Sequence, residues 1–242
     1  MKKHKILKHI FPIIGTLAIL PSVQADPWLA SPEIKMGTSN PSGQFVQGRV
    51  FEDLNGDGQH QESEPGIGDV KVSNGIQVVL TESNGTYRLP VRSDMDLTVI
   101  QPAGYRVPVD KRMVPQFFYV HKEDGSPQQL RYGGLPPTGP MPTTVNFPLR
   151  KVGNTDKVRA AVIGDSQTYS NQEVSYFRDS AIKDILNLDG KAPDFMLFLG
   201  DVVGDDIGLL DRMLRVGSAA GIPQWLVHGN HDYEKKKKSD QD

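Results

Sequence analysis

The feature that most limits what this chain can fold into is a change of patterning between Leu149 and Val158. Before it, apolar residues fall in short β-rich runs, around Phe45 to Glu52, Val70 to Ser73, Ile76 to Thr81, Thr86 to Val91, Leu97 to Gln101, Phe117 to Val120 and Val145 to Leu149. The separators carry turn chemistry: Asn74-Gly75, Asn84-Gly85, Pro102-Ala103-Gly104 and Asp124-Gly125. About seven short strands without a helical period predict a β-sandwich, here over residues 44–150. After Val158 the apolar runs are continuous, at Val158 to Ile163, Phe195 to Leu199 and Gln224 to Val227, and helical stretches separate them. Ser170 and Glu173 have the spacing of a capping box, and Val174, Phe177, Ala181, Ile182 and Ile185 share one helical face. A second helix is expected from Ile207 to about Arg215. The order β-α-β-α-β calls for a parallel sheet with right-handed crossovers, so all three strands end on one edge.

The first 25 residues have a different purpose. Lys2, Lys3, Lys5 and Lys8 precede an apolar run from Ile10 to Leu20, and Val23-Gln24-Ala25 supplies the small residues a signal peptidase reads. The run is short for a bilayer span and Pro12 and Gly15 weaken it, so we expect a cleaved export signal, a periplasmic or secreted protein, and no integral membrane protein. Residues 26–43 have no period and several breakers, which reads as a linker. The absence of cysteine is compatible with an oxidising compartment and rules out a disulfide framework. A formal charge of −2 offers no basic patch for nucleic acid.

Chemistry is expected where the three later strands end. The residues there are Gly164-Asp165-Ser166-Gln167, Gly200-Asp201 and Gly229-Asn230-His231. In open α/β sheets the site lies outside the carboxyl ends of the strands. Two carboxylates, carboxamides and an imidazole suit borderline or hard divalent metals such as manganese, iron or zinc, and the lack of thiols argues against a purely structural zinc. Asp205 and Asp206 read as helix caps at least as well as site residues, and His228 reads as a strand residue.

The blocks "GDSQ", "GDVVGDD" and "GNHD" resemble those of the calcineurin-like metallophosphoesterases. The resemblance implies that Asp165 and Gln167 hold a first metal, that Asp201 bridges two, that Asn230 holds the second, and that His231 faces the scissile phosphate as acid or transition-state donor. It implies the first, βαβαβ half of that fold over residues 157–233, and hydrolysis of a phosphate ester, on a small molecule or a phospholipid-type substrate. Two departures stand out. Gln167 occupies the place of the commoner histidine, and no histidine follows His231, where the family has further histidine blocks. On that ground the phosphoesterase segment is expected to be truncated after "GNHD", with residues 234–242 a polar tail and the activity impaired. The alternative is a non-catalytic exported sandwich that binds a partner, with an inert α/β remnant.

A second metal motif lies in the sandwich. "DLNGDGQHQESE" fits a calcium loop with Asp53, Asn55, Asp57, Gln59 through its carbonyl, Gln61 and Glu64 as ligands, and Gly58 at the sharp turn. Strand-like rather than helical sequence flanks it, so it is not an EF-hand, and a tight acidic turn without an ion is the competing reading. The stretches "PGIGDVKVSNG", "SNGTYRLPV" and "PAGYRVP" resemble the prealbumin-like or Cna-B-like sandwich that precedes many exported calcineurin-like enzymes.

Overall fold

Alternation of inward apolar and outward polar side chains builds the first part of the molecule. In this computed structural model, residues 27–37, 45–154, 156–188 and 192–233 are described; the expected export signal and the expected tail lie outside them. The first strands are β1 (Glu33–Lys35), β2 (Phe45–Glu52), β3 (Lys71–Ser73), β4 (Val78–Leu80) and β5 (Thr86–Pro90). They are followed by β6 (Asp94–Val99), β7 (Tyr105–Arg106), β8 (Phe118–Lys122) and β9 (Thr144–Lys151). One sheet runs β1-β9-β2-β5, with β7 also on β9, and the other runs β4-β3-β6-β8. Their inner faces meet over one core that includes Val46, Val50, Leu89, Phe147 and Leu149 from the first sheet and Val72, Met95, Leu97 and Val99 from the second. Strands β2 and β9 pair in parallel, with Val50 opposite Phe147, so the two ends of the sandwich segment close on each other.

Two expectations need correction. The stretch read as a linker contributes β1, which pairs antiparallel with β9, and Leu29, which bridges to Val109. Its polar residues are used there: Glu33 is buried, bonded to Asn146 Nδ2 at 2.6 Å and to Lys35 Nζ at 3.0 Å. Strand β6 begins at Asp94 rather than Leu97, because its charged outward positions hide the alternation from a search for apolar runs.

The later part contains β10 (Ala160–Ile163), α1 (Asn171–Phe177), a π-helical turn (Arg178–Ile182), α2 (Lys183–Leu186) and β11 (Phe195–Phe198). A 3₁₀ turn (Ile207–Leu209), α3 (Leu210–Ser218) and β12 (Gln224–Leu226) complete it. Ser170 Oγ accepts from Glu173 N at 3.3 Å, but Glu173 Oε2 accepts from Tyr169 N at 2.5 Å, not from the cap residue itself. The π-helical turn explains the crowded apolar stripe. Phe177 and Ile182 are both buried although they are five residues apart, the span of one i→i+5 hydrogen bond of a π turn.

Strands β10, β11 and β12 form a parallel sheet in that order, with Val162 opposite Leu197 and Leu197 opposite Trp225. The segment "FMLFLG" therefore supplies the central strand; the outer strands are β10 and β12. The helices cover one face, where Met196 and Phe198 pack with Val174, Phe177, Ile182 and Met213. The opposite face carries Val162, Leu199 and Val227, respectively 55%, 53% and 49% exposed. Among the described helices none is long and apolar enough to cross a membrane.

Candidate functional site

Each parallel strand runs into a loop whose backbone is unusual. Asp165, Gln167, Asp201 and Asp205 have φ of 48°, 36°, 46° and 65°, four of the six non-glycine residues with positive φ among those described. Such conformations cost free energy unless the surroundings hold them, and they concentrate where a side chain must be aimed. Here the loops hold one another. The N–H of Gln167 donates to Asp201 O at 2.7 Å, the N–H of His231 donates to Asp201 Oδ1 at 2.7 Å, and the N–H of Asp205 donates to His231 O at 3.2 Å. Asp201 is the hub that joins the ends of β10, β11 and β12.

Close approach of two loops demands glycine at one point. A Cβ on Gly229 would lie 2.1 Å from Asp201 N and 2.2 Å from Asp201 Oδ1, closer than any neighbour could tolerate. The carboxylate of Asp232 then fixes the last loop, accepting from Val203 N at 2.9 Å and Gly229 N at 3.0 Å. Thus the "GNHD" block folds back on the β11 loop through backbone contacts.

Asp205 is the residue that sequence reasoning undervalued. Its neighbour Asp206 caps the following turn, accepting from Gly208 N at 3.1 Å. Asp205 Oδ1 instead lies 2.8 Å from His231 Nδ1. Spacing along the chain gave two adjacent aspartates equal claims on the cap; only the fold brings the strand ends together and separates them. His228 is also placed differently from expectation, beyond β12 and exposed, with its ring stacked on Tyr233 at 5.6 Å.

The donor set at these strand ends is Asp165, Gln167, Asp201 and Asn230. Asp165 and Asn230 are exposed and Gln167 and Asp201 half-buried. Among the described residues no group of three or more His, Cys, Asp or Glu is placed to hold a metal ion. The chemistry of the set fits a hard divalent cation only when the amide oxygens of Gln167 and Asn230 complete a shell begun by two carboxylates.

The loop from Asp53 to Glu64 is organised around buried carboxylates. Asp53 and Glu64 are 2% and 4% exposed. Asp53 accepts from Gly56 N at 2.5 Å and Gly58 N at 2.9 Å, and Glu64 accepts from Leu54 N at 2.9 Å and Gln61 N at 3.1 Å. Asn55 Nδ2 and Gln61 Nε2 both donate to Asp57 Oδ2, at 3.0 and 2.9 Å, and Gln59 N donates to Oδ1 at 2.7 Å. The Gln59 N–H, with the Gln61 and Asn55 side chains, holds the Asp57 carboxyl below the usual carboxylate range. Backbone donors thus shape the loop, while Gln61 Oε1 is buried without a hydrogen-bond partner among the described residues. Gln59 takes part here through its N–H.

Comparison with known proteins follows the same division. Residues 54–134 match the N-terminal domain of calcineurin-like phosphoesterase, and residues 158–242 match calcineurin-like phosphoesterase. The second match runs through residue 242, past residue 233 where the phosphoesterase segment was expected to stop. No curated protein matches the chain. Among solved structures the chain is similar to shaft pilin SpaA from Lactobacillus rhamnosus GG, at 9% identity and a TM-score of 0.27, over 54% of this chain and 57% of the pilin. A double mutant of that pilin matches at 10% identity and a TM-score of 0.26, over 54% of this chain and 56% of its own. At such scores the pilins carry no weight for fold or function. The two matched segments thus correspond to the N-terminal and core parts of calcineurin-like phosphoesterases, and the second contains all three strand-end blocks.

Proposed function

We propose that the protein hydrolyses phosphate esters with the help of divalent metal, at the edge where β10, β11 and β12 end. The observation that carries this reading is the convergence of the three loops on Asp201, with His231 paired to Asp205 beside them. Asp165, Gln167 and Asp201 would hold one ion, and Asp201 with Asn230 a second. A divalent cation bound there supplies charge neutralisation for the phosphoryl oxygens and an acidified water. The three-stranded unit corresponds to the opening βαβαβ part of a calcineurin-like fold.

The residues themselves do the positioning. Donating from Nδ1–H to the Asp205 carboxylate fixes the His231 ring, so that Nε2 is the nitrogen that would face the substrate. From that atom a proton can be given to the leaving oxygen, or a hydrogen bond to the developing phosphoryl charge. The substrate class is a phosphomonoester or phosphodiester on a small molecule or a lipid, and manganese, iron or zinc are the metals in view.

Hydrolysis of an aryl phosphate by the purified chain with added manganese, with a chelator control, tests the reading. His231→Asn should abolish manganese-stimulated turnover, and Asp205→Asn should lower it by about 10²-fold or more, the usual worth of a positioned acid or base. Turnover unaffected by either variant would remove His231 from the mechanism. The sparse set of acidic ligands favours weak metal affinity and slow turnover. It also favours a second reading, a non-catalytic sandwich that binds a partner, which absence of hydrolysis at saturating manganese would support. Export by residues 1–25 is part of the proposal; the intact mass of protein from an exported fraction should begin at Asp26, and retention of Met1 would overturn it.

A further inference from the structure

Gln224 opens β12 and is completely buried, although its side chain is polar. Its Nε2 donates to Arg112 O at 2.5 Å and to Leu214 O at 2.9 Å, while its backbone N–H donates to Met113 O at 2.8 Å. One residue thereby joins β12, helix α3 and a turn that belongs to the sandwich. Gly217 in α3 makes the space, because a Cβ there would lie 2.0 Å from Gln224 Oε1.

The sandwich side is shaped to meet it. Asp110 Oδ1 accepts from Arg112 N at 2.8 Å and Val114 N at 2.9 Å, and the N–H of Asp110 donates to Val114 O at 2.9 Å. Val109 bridges to Pro115, which closes the turn. Met113 is buried with φ of 61°, outside the region that a side-chain-bearing residue prefers. Beyond the turn, the ring of Phe117 lies 5.1 Å from that of Trp225, and both pack against the sandwich core. The ion pair of Arg112 with Asp211, at 3.4 Å and well exposed, adds little.

We propose that the turn from Val109 to Phe117 is a positioning element of the candidate site: the sandwich holds the start of β12 and so sets the loop Gly229-Asn230-His231 that follows it, with Gln224 as the positioning residue. The role assigned to that loop rests on the phosphoesterase reading above; the clip itself does not. Strand β12 needs such support. Only Gln224, Trp225 and Leu226 pair with β11, and its other side would present unpaired backbone groups. A strand so short transmits any shift of its first residue to the loop at its end.

Amide hydrogen exchange on the full chain tests the clip without reference to activity. Gln224→Glu keeps the shape but sets a carboxylate against two carbonyl oxygens at neutral pH, whereas its protonated form can donate to one of them. Exchange at Trp225, Val227 and His231 should rise about tenfold or more, the factor a lost buried hydrogen bond corresponds to. Val50 and Leu97 in the sandwich core should not change, and the rise should partly reverse on acidification relative to wild type at the same pH. Asp110→Ala should reproduce the rise without the reversal. Unchanged exchange at β12 in both variants, a uniform rise over both regions, or no acid recovery in Gln224→Glu overturns the clip. Where aryl phosphate hydrolysis is measurable, Asp110→Ala should lower it about tenfold in step with the local opening free energy. Hydrolysis that persists while exchange rises overturns the positioning role, and hydrolysis absent from every form overturns the phosphoesterase reading while leaving the exchange result to decide the clip.

Discussion

The sandwich and the α/β unit bury their strands in different ways, and the difference shows where each gets its stability. In the sandwich, two sheets close over a shared core in which Phe147, Leu89, Leu97 and Leu149 are fully buried. In the α/β unit, helices cover one face of a parallel sheet, and the other face leaves Val162, Leu199 and Val227 about half exposed. Parallel sheets are ordinarily covered on both faces. The sandwich meets this need only at the β12 side, through Phe117 against Trp225. The first region is thus self-sufficient, while the second borrows an edge from it.

The largest effect that probes this comparison is Phe147→Ala. It should cost about 3–5 kcal/mol, the range for a fully buried aromatic, and lower the midpoint of the sandwich transition in chemical denaturation. Because the α/β unit leans on the sandwich, it should unfold at or before that new midpoint; an α/β transition that stays where it was would break the comparison.

Next in size is calcium. Each carboxylate oxygen of Asp53 and Glu64 that takes a backbone N–H keeps a lone pair for an ion. Calcium at a hundredfold excess over its Kd should therefore raise sandwich stability by about 2.7 kcal/mol. Asp57→Ala should abolish the shift in thermal unfolding. Without calcium, the stabilisation from Asp57 is present above its unfolded pKa and fades as pH falls through its depressed folded value, since protonation removes the acceptor that orders Gln59 and Gln61. A melting temperature indifferent to millimolar calcium would leave the loop as a turn.

Tyr87→Phe should cost about 0.5–1.5 kcal/mol, because it deletes the 2.6 Å bond from the hydroxyl to Val145 O inside the core. Burial pushes the Tyr87 phenol well above its ordinary value. The folded pKa is the higher one, so its contribution is complete below the unfolded pKa and is lost as pH rises beyond it. Alkaline unfolding curves of wild type and Tyr87→Phe should accordingly converge.

The smallest expected effect sharpens the comparison most. Val162→Ser lies on the bare face and should change stability by less than about 0.5 kcal/mol if that face meets water. A cost well above that in equilibrium denaturation would mean that something covers it in solution.

Much of this was legible along the chain. Strand β2 was expected with its observed bounds, and turn signals such as Asn84-Gly85 marked the turn before β5, because local alternation and turn chemistry act over a few residues. The three strand-end blocks were legible for a similar reason, since a glycine and a donor directly follow each apolar run. What could not be read were pairings between distant residues. Strand β1 lacks any pattern of its own and exists because β9 offers it an edge. The separate uses of Asp205 and Asp206 depend on where His231 arrives from 26 residues away. Gln224 reads as an ordinary polar residue at the start of a strand, and its burial follows from a turn more than a hundred positions earlier. Sequence by itself determined the kinds of element and the donors at their ends, which are set by local sterics and periodicity. Tertiary structure decided which of those donors meet, because a hydrogen bond or a buried contact forms only when folding has already paid the entropy of bringing remote segments together.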